Sequence, residues 1–277
     1  MKSKLTFSVC MSVYRNDRAE FFRDALLSVI YQTVKPAEIV LVVDGPVPDG
    51  IERVISDTRK IWPLLNVIRL EKNHRLAFAR QTGIDYAVSD VIALMDSDDI
   101  SLPDRFEKQL PCFEEDDQLA VLGGQINEFT GEESNLTGCR TVALDDGEIK
   151  SVLKWRCPLN HMTVMIRKSA LMKAGGYQDW FYNEDYYLWI RMAEAGCKFR
   201  NLPHVLVHVR VDDGVYRRRG GLRYFRSEAG IQRYMWRRGI IRFPRYAFNV
   251  AVRFVVQVVC PNRVRRFLFV NLFRERI

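Results

Sequence analysis

Short apolar runs alternate with amphipathic segments along the first hundred residues. Four of these runs have the length of buried strands: Phe7–Val13, Ile39–Asp44, Asn66–Leu70 and Val91–Asp96. Between them, apolar residues recur at helical spacing in three segments: Phe21–Gln32, Gly50–Ile61 and Arg75–Ser89. Strands and helices in alternation predict an α/β protein with a mostly parallel, Rossmann-like sheet flanked by helices.

The alternation of predicted strands and helices becomes less regular after Pro103. We expect a helix over residues 104–113, a strand over 120–126 and a polar surface loop over 130–138. Two further strands, over residues 198–202 and 205–211, are predicted to close the domain.

Charge divides the chain into two parts. The formal charge is +8, but residues 215–277 contain 16 arginines, no lysine and only two glutamates, a net charge of +14. Residues 1–214 therefore carry −6. We interpret residues 1–214 as the α/β domain and 215–277 as a helical, arginine-rich extension with a different partner, either nucleic acid or an anionic membrane.

The extension is amphipathic rather than uniformly apolar. Its longest apolar stretch, Tyr246 to Cys260, is broken by Arg253 and is shorter than the ~20 residues that span a bilayer. Arginine mixed with aromatic residues favours a helix lying in the membrane interface. A terminal helix packed on the domain is the alternative.

The six cysteines are scattered and form no C-x-x-C pair, which argues against a zinc site or a disulfide framework and indicates a reducing, cytoplasmic setting. Two lysines precede the first apolar run, as in a signal peptide. That run is short and alternates like a strand, so we interpret it as the first strand of the fold.

Carboxylates follow two of the predicted strands. Asp96 and Asp98 lie two residues apart where the chain turns, and such a pair can bind one Mg²⁺ or Mn²⁺ together with substrate phosphates. Asp44 ends another strand, where it can accept hydrogen bonds from a nucleotide. The alternatives are a helix cap near Pro103 for the first pair and a turn residue for Asp44.

Two arginines and a second acidic pair complete the candidate site. Arg75 and Arg80 precede the Asp96 strand, where they can pair with phosphate or remain exposed on a helix. Glu184 and Asp185 follow Gly175-Gly176 and lie among aromatic residues that we expect to stack on sugar rings: Tyr177, Trp180, Phe181, Tyr182, Tyr186 and Trp189. A carboxylate there can act as a general base on a hydroxyl, or it can merely complement a helix dipole.

These motifs, in this order, resemble inverting glycosyltransferases of family 2 with the GT-A fold. The resemblance covers roughly the first 210 residues and rests on "SVCMSVYRND", "VVDG", "LMDSDDISLPDRFEKQ" and "NEDYYLWIRM". Within the family the chain looks most like bacterial enzymes that add a hexose to a lipid-diphosphate-linked sugar in O-antigen or exopolysaccharide assembly. "RRGG" after Tyr216 and the arginine-rich tail are similar to galactosyltransferases of that group.

The resemblance implies a role for each acidic residue. Asp44 would contact the nucleotide base, Asp96 the ribose or the metal, and Asp98 the Mn²⁺ or Mg²⁺ that bridges the phosphates. Asp185, or Glu184 in its place, would deprotonate the acceptor hydroxyl. Asp99 is either a supporting residue or a helix cap.

Two histidines and a run of three arginines each have two alternative roles. His161 would approach the donor sugar or the acceptor, and His208 would be a further metal ligand or phosphate contact, unless each is a structural histidine. Arg217, Arg218 and Arg219 would form a loop over the diphosphate, or a solvated run of charge.

The implied activity is metal-dependent transfer of a hexose, galactose in β linkage by similarity, from a UDP-sugar to a polyprenyl-diphosphate-linked sugar. The enzyme would lie at the inner face of the cytoplasmic membrane and bind no nucleic acid. Glucosyl and N-acetylhexosaminyl transfer are alternatives within the family. A nucleotidyltransferase is a more remote one, because no glycine-rich phosphate loop follows the first strand.

Overall fold

The computed structural model describes residues 5–211 and 220–261. The described strands are β1 (Phe7–Val13), β2 (Glu38–Asp44), β3 (Leu65–Leu70), β4 (Val91–Leu94), β5 (Ile100–Ser101), β6 (Leu119–Phe129), β7 (Leu136–Arg140), β8 (Met165–Arg167) and β9 (Lys198–Arg210). The described helices are α1 (Ala19–Ile30), α2 (Asp49–Ile61), α3 (Leu76–Tyr86), α4 (Arg105–Glu115), α5 (Asp146–Leu153), α6 (Lys168–Lys173), α7 (Glu184–Glu194), α8 (Leu222–Arg237) and α9 (Phe243–Phe254). A 3₁₀ turn covers His161–Thr163 and a π turn covers Val255–Val259.

One sheet runs through the domain in the order β3-β2-β1-β4-β8-β6-β9-β5, with β7 paired to β6. The pairs among β1, β2, β3 and β4 are parallel, as their apolar runs predict. Beyond β4 the pairing is mixed: β8 is antiparallel to β4 and β6, whereas β6 and β9 are parallel. The predicted α/β fold, a central sheet flanked by helices, is confirmed.

The central strands are buried on both faces, which is why they contain continuous apolar runs rather than alternating ones. One core cluster places β1 against α1 and α4, with Phe22 and Phe106 fully buried. The other, across the sheet, contains Ile84 of α3 and Trp189 of α7.

Two predicted boundaries are wrong. Part of the predicted surface loop over 130–138 is strand β7, which begins at Leu136 and pairs with β6. The two strands predicted over 198–211 are one strand, β9, although it contains Pro203. The register against β6 shifts between Gly123 and Gln125, opposite this proline, so that its missing N–H leaves no ladder bond broken.

Helices α8 and α9 of the extension pack on the α/β domain. Ile231 and Met235 of α8 are fully buried in the second core cluster. In α9, Asn249 donates hydrogen bonds to the carbonyl oxygen of Lys154 and to the side chain of Gln232. Within the described ranges, no helix is both long and apolar enough to cross a bilayer.

Candidate active site

The carboxyl ends of three neighbouring parallel strands form one edge of the sheet, because β2, β1 and β4 are adjacent. Asp44 is the last residue of β2, and Asp96 lies two residues beyond the end of β4. Ligands of open α/β sheets bind at this kind of edge.

Asp44 holds the segment that leads into α3. Its Oδ1 accepts a hydrogen bond from the backbone N–H of His74 at 2.7 Å, and its Oδ2 accepts one from Asn73 Nδ2 at 2.9 Å. Gly45 has φ +86°, and a Cβ there would lie 2.7 Å from the backbone nitrogen of Asn73. The close approach therefore requires glycine at position 45. Burial raises the pKa of Asp44 above its usual value.

Arg75 and Arg80 have different surroundings, although sequence suggested the same role for both. Arg75, at φ 74°, is exposed and its Nη1 lies 2.9 Å from Oδ2 of Asp179. Arg80 is largely buried: its Nη2 lies 2.9 Å from Oδ1 of Asp96 and its Nη1 lies 2.9 Å from Oε1 of Glu184. Arg80 thus connects the strand end that bears Asp96 to the start of α7.

This double ion pair sets the protonation of its members. Burial opposes ionisation of Asp96, but the nearby positive charges, that of Arg80 foremost, keep its pKa below the usual value. Burial raises the pKa of Glu184 to about 7, although Arg80 acts in the opposite direction. Glu184 therefore titrates near neutral pH while Asp96 stays ionised.

The two aspartates after Asp96 differ in exposure. Asp98 is exposed at the site, and partial desolvation together with the charges of Asp96 and Asp17 raises its pKa to about 6. Asp99 is buried, and its Oδ1 accepts the backbone N–H of Arg210 at 3.0 Å. Asp99 therefore attaches the end of β9 to the site and does not cap the following helix.

Asp17 is a candidate that the sequence analysis missed. It follows β1, and its Oδ2 accepts hydrogen bonds from the backbone N–H of Tyr14 at 3.1 Å and from Ser97 Oγ at 3.0 Å. Burial raises its pKa, and the charge of Asp96 adds to this effect. The available signal was its position at the end of a third neighbouring strand.

The donor set suits a divalent cation. Asp96 and Asp98 provide carboxylate oxygens, and the pKa of Asp98 is raised first by desolvation and then by the negative charges of Asp96 and Asp17. Across the described parts of the chain, no three His, Cys, Asp or Glu side chains are grouped so as to hold a metal unaided. Donor phosphates would complete such a site. His208, which the resemblance suggested as a further metal ligand, lies opposite Ile100 in the sheet. Its Nδ1 is 2.8 Å from Oε1 of Glu133.

His161 lies beside Asp96 on the 3₁₀ turn rather than on a strand. Its Nε2 is 2.8 Å from the hydroxyl of Tyr177, and its Nδ1 is 3.9 Å from Oδ1 of Asp96. Burial lowers the pKa of His161 to about 3, so the ring is neutral at physiological pH. Nδ1 is buried and has no hydrogen-bond partner among the described residues.

Glu184 and Asp185 open α7, and their neighbours differ. Glu184 is paired with Arg80, whereas Oδ2 of Asp185 lies 3.9 Å from the thiol sulfur of Cys157. Burial raises the pKa of Asp185. It also raises the pKa of Cys157, so the thiol is a neutral neighbour. Among the described residues Asp185 forms no ion pair, so its carboxylate is not committed to a cation as that of Glu184 is.

The expected aromatic surface is only partly present. Tyr177, Tyr186 and Trp189 are buried in the core, so the prediction that they belong to a sugar-stacking surface is wrong. Tyr186 and Trp189 belong to α7 and lie on its inner face. Tyr182 is 55% exposed and has φ 55°, a left-handed conformation that is strained for a tyrosine. It presents its ring to solvent three residues before Asp185.

Helix α8 holds the loop that precedes Glu184 and Asp185. Ser227 Oγ donates a hydrogen bond to the carbonyl oxygen of Phe181 at 2.6 Å and accepts one from Asn183 Nδ2 at 3.0 Å. Trp180 Nε1 donates to the backbone oxygen of Ser227 at 3.1 Å. The indole of Trp180 packs so closely on Gly230 that a Cβ there would lie 3.0 Å from it. No local pattern in the sequence predicts this connection. The predicted loop of Arg217, Arg218 and Arg219 lies outside the described residues.

Comparison with known proteins agrees with the fold and with these motifs. The sequence model described as "Glycosyl transferase family 2" matches residues 8–181. The amylovoran biosynthesis glycosyltransferase AmsE of Erwinia amylovora is 34% identical over 95% of this chain and 97% of its own length. An Escherichia coli UDP-Gal:alpha-D-GlcNAc-diphosphoundecaprenol beta-1,3-galactosyltransferase is 32% identical over 97% of both chains.

A solved structure resembles the whole described fold. The mannosyltransferase PcManGT from Pyrobaculum calidifontis, in complex with GDP-Man and Mn²⁺, superposes with a TM-score of 0.65 over 93% of this chain and 71% of its own, at 15% sequence identity. At that identity the likeness concerns the fold, which is GT-A. By its sequence motifs, its architecture and its relatives, the chain belongs to glycosyl transferase family 2 and is a glycosyltransferase.

Proposed function

We propose that this enzyme transfers a hexose, galactose in β linkage, with inversion from a UDP-sugar to a polyprenyl-diphosphate-linked sugar during O-antigen or exopolysaccharide assembly. The names of two relatives support this choice. One names UDP-Gal as donor and a GlcNAc-diphosphoundecaprenol as acceptor, and the other names amylovoran biosynthesis. Both match this chain over nearly its full length, including the extension.

The observation that carries the proposal is the Asp96–Arg80–Glu184 bridge. It fixes the start of α7, and with it Asp185, relative to the strand end where a nucleotide diphosphate would lie. Transfer between two bound substrates needs this fixed geometry, because orientation supplies much of the rate enhancement.

Asp185 is the general base in this proposal. It takes the proton of the acceptor hydroxyl as the oxygen attacks the anomeric carbon, on the face opposite the departing UDP. Glu184 instead orients Arg80, which accounts for two adjacent carboxylates with different partners. His161, whose neutral ring lies beside Asp96, would approach the donor sugar.

The nucleotide would lie along the edge formed by β2, β1 and β4. Asp44 shapes this edge through Asn73 and His74, next to where the base would bind. Arg75 would reach phosphate only by leaving Asp179. Asp96 and Asp98 would hold Mn²⁺ or Mg²⁺, with His208 as a further candidate. When bound, the cation offsets the charge that develops on the leaving UDP.

We also propose that the extension attaches the enzyme to the inner face of the cytoplasmic membrane. Around α9, large apolar side chains are exposed beside arginines: Phe243, Phe248, Phe254, Val255 and Val259. Binding to nucleic acid requires mainly positive charge, whereas binding to an anionic lipid surface uses positive charge and exposed apolar groups together. The combination found here therefore favours the lipid surface. Co-sedimentation with anionic vesicles, compared with binding to duplex DNA, tests this choice.

A donor panel tests the reaction itself. Purified enzyme is incubated with Mn²⁺, a short-chain diphosphate-linked GlcNAc and one of UDP-Gal, UDP-Glc, UDP-GlcNAc or UDP-GalNAc, and the product linkage is determined by NMR. We expect transfer from UDP-Gal in β linkage. Asp98→Asn should lower kcat about 10²–10³-fold, as expected for loss of an electrostatic contributor to the transition state. If Asp98→Asn keeps both wild-type activity and wild-type Mn²⁺ dependence, the assignment of Asp98 to the metal is wrong.

A further inference from the structure

An open groove separates the loop before α7 from helix α8. Its volume is about 390 Å³, and it is lined by Asp179, Trp180, Phe181, Arg223, Arg226 and Ser227. One of its lining residues, Asp179, is paired with Arg75, which precedes α3.

The groove has positive charge that its acidic neighbours do not offset. Arg223 and Arg226 are three residues apart on α8, so they share one face of the helix. Within the described ranges, neither forms an ion pair. The nearby Glu228 is bound by Arg253, and Asp179 is bound by Arg75. Two guanidinium groups are therefore available to an anion.

The walls of the groove are held in place before any ligand binds. The guanidinium of Arg223 lies 4.0 Å from the centre of the Phe181 ring. Ser227 is bonded to the backbone of Phe181, and the Trp180 indole is bonded to the backbone of Ser227. The loop and the helix therefore form one preorganised surface, which reduces the entropy lost on binding.

The groove adjoins the candidate base. Phe181 is four residues from Asp185, so their Cα atoms lie within about 14 Å of each other even in an extended chain. The exposed ring of Tyr182 lies between them in the sequence. An acceptor bound at Asp185 has its diphosphate one sugar away from the reacting hydroxyl. A ligand that reaches both places is thus a sugar with an anionic group attached.

We propose that Arg223 and Arg226 bind the diphosphate of the lipid-linked acceptor, with the acceptor sugar directed toward Asp185. This inference rests on the proposed function, since it names the acceptor site of that reaction. Two guanidinium groups on one helix face suit two linked phosphates, because arginine pairs with phosphate in a bidentate manner. The donor diphosphate belongs instead to the edge that bears Asp96 and Asp98.

The test measures binding and transfer separately. Calorimetry gives the Kd of a short-chain diphosphate-linked GlcNAc, of the matching monophosphate and of UDP with Mn²⁺, in the absence of vesicles. The protein is compared with Arg223→Ala/Arg226→Ala and with the control Arg233→Ala/Arg237→Ala. The control removes the same charge from exposed positions of α8, about 15 Å further along the helix. Arg223→Lys/Arg226→Lys keeps the charge but loses the bidentate geometry.

We expect Arg223→Ala/Arg226→Ala to weaken binding of the diphosphate compound at least tenfold, as for loss of charge-assisted hydrogen bonds worth about one factor of ten or more. UDP affinity should stay within twofold, the control should bind like wild type, and the lysine variant should fall in between. The preference of wild type for the diphosphate over the monophosphate should disappear in the alanine variant.

Three results would overturn the inference. One is unchanged acceptor binding in the alanine variant, and another is an equal loss in the control. The third is a parallel loss of UDP affinity, which would assign the arginines to the donor. Absence of hexose transfer by a wild-type enzyme that binds both ligands would instead contradict the proposed function.

Discussion

The sheet edge that we propose binds the donor, here the donor edge, and the loop that we propose binds the acceptor, here the acceptor side, are built by different means. The donor edge consists of carboxylates at the ends of buried parallel strands, with Asp44 and Asp96 fixed by the sheet itself. The acceptor side is a loop that bears Asp185 and is held by hydrogen bonds from Ser227 on α8, a helix of the extension. The α/β domain thus supplies the donor edge by itself, whereas the acceptor side also depends on the extension.

Arg80 is the link between the two sides. It belongs to α3 of the α/β domain and pairs with one carboxylate from each side. Substitutions on the acceptor side should therefore impair transfer without affecting nucleotide binding. Substitution of Arg80 should affect both sides, and also stability.

The largest effect is expected for Asp185→Asn. Loss of a general base should lower kcat by about 10²–10⁴-fold. UDP affinity, measured by calorimetry with Mn²⁺, should stay close to wild type because Asp185 lies on the acceptor side. Glu184→Gln serves as the comparison: it should reduce kcat less and should weaken UDP binding through Arg80. The opposite ranking of the two variants would make Glu184 the base.

Arg80→Met should be the next most severe change. It leaves two carboxylates without their cation in a largely buried setting, and breaking such a pair destabilises proteins by about 3–5 kcal/mol. Urea unfolding at pH 8 measures this difference. Arg75→Met is the control, since the Arg75–Asp179 pair is exposed and should contribute less than about 1 kcal/mol.

The Arg80→Met difference should depend on pH in a defined direction. The pKa of Glu184 is raised to about 7 from an ordinary 4.5, so the folded protein binds more protons than the unfolded chain between these values. The free energy of unfolding therefore falls as pH rises through this window. Without Arg80 the pKa of Glu184 rises further, so the variant should lose more stability than wild type as pH rises. A variant equally destabilised at pH 5 and pH 8 would show that packing, and not the ion pairs, explains the loss.

The difference between the two sides also explains what the sequence could reveal. Apolar runs identified the strands, and parallel strands bring their ends together, so the proximity of Asp44 and Asp96 followed from topology. Arg80 was a candidate, but its pairing with Glu184 joins residues 104 positions apart, which no local pattern encodes. The same holds for Ser227, a small residue in an arginine-rich helix. Tyr186 and Trp189 were misjudged because aromatic residues serve equally in a core and on a sugar platform.

The smallest predicted effect tests the dependence of the acceptor side on the extension. Ser227→Ala removes two side-chain hydrogen bonds, to the backbone of Phe181 and from Asn183, which should lower the free energy of unfolding by about 1–2 kcal/mol. The loop would then hold Asp185 less precisely, and kcat should fall by about tenfold, because misplaced catalytic groups lose orientation. UDP affinity should not change.

Ser151→Ala, which removes an exposed hydroxyl from α5, is the matched control and should change neither the free energy of unfolding nor kcat. If Ser227→Ala lowers stability but leaves kcat at the wild-type value, α8 stabilises the fold without positioning the base, and the acceptor side would be as independent of the extension as the donor edge is.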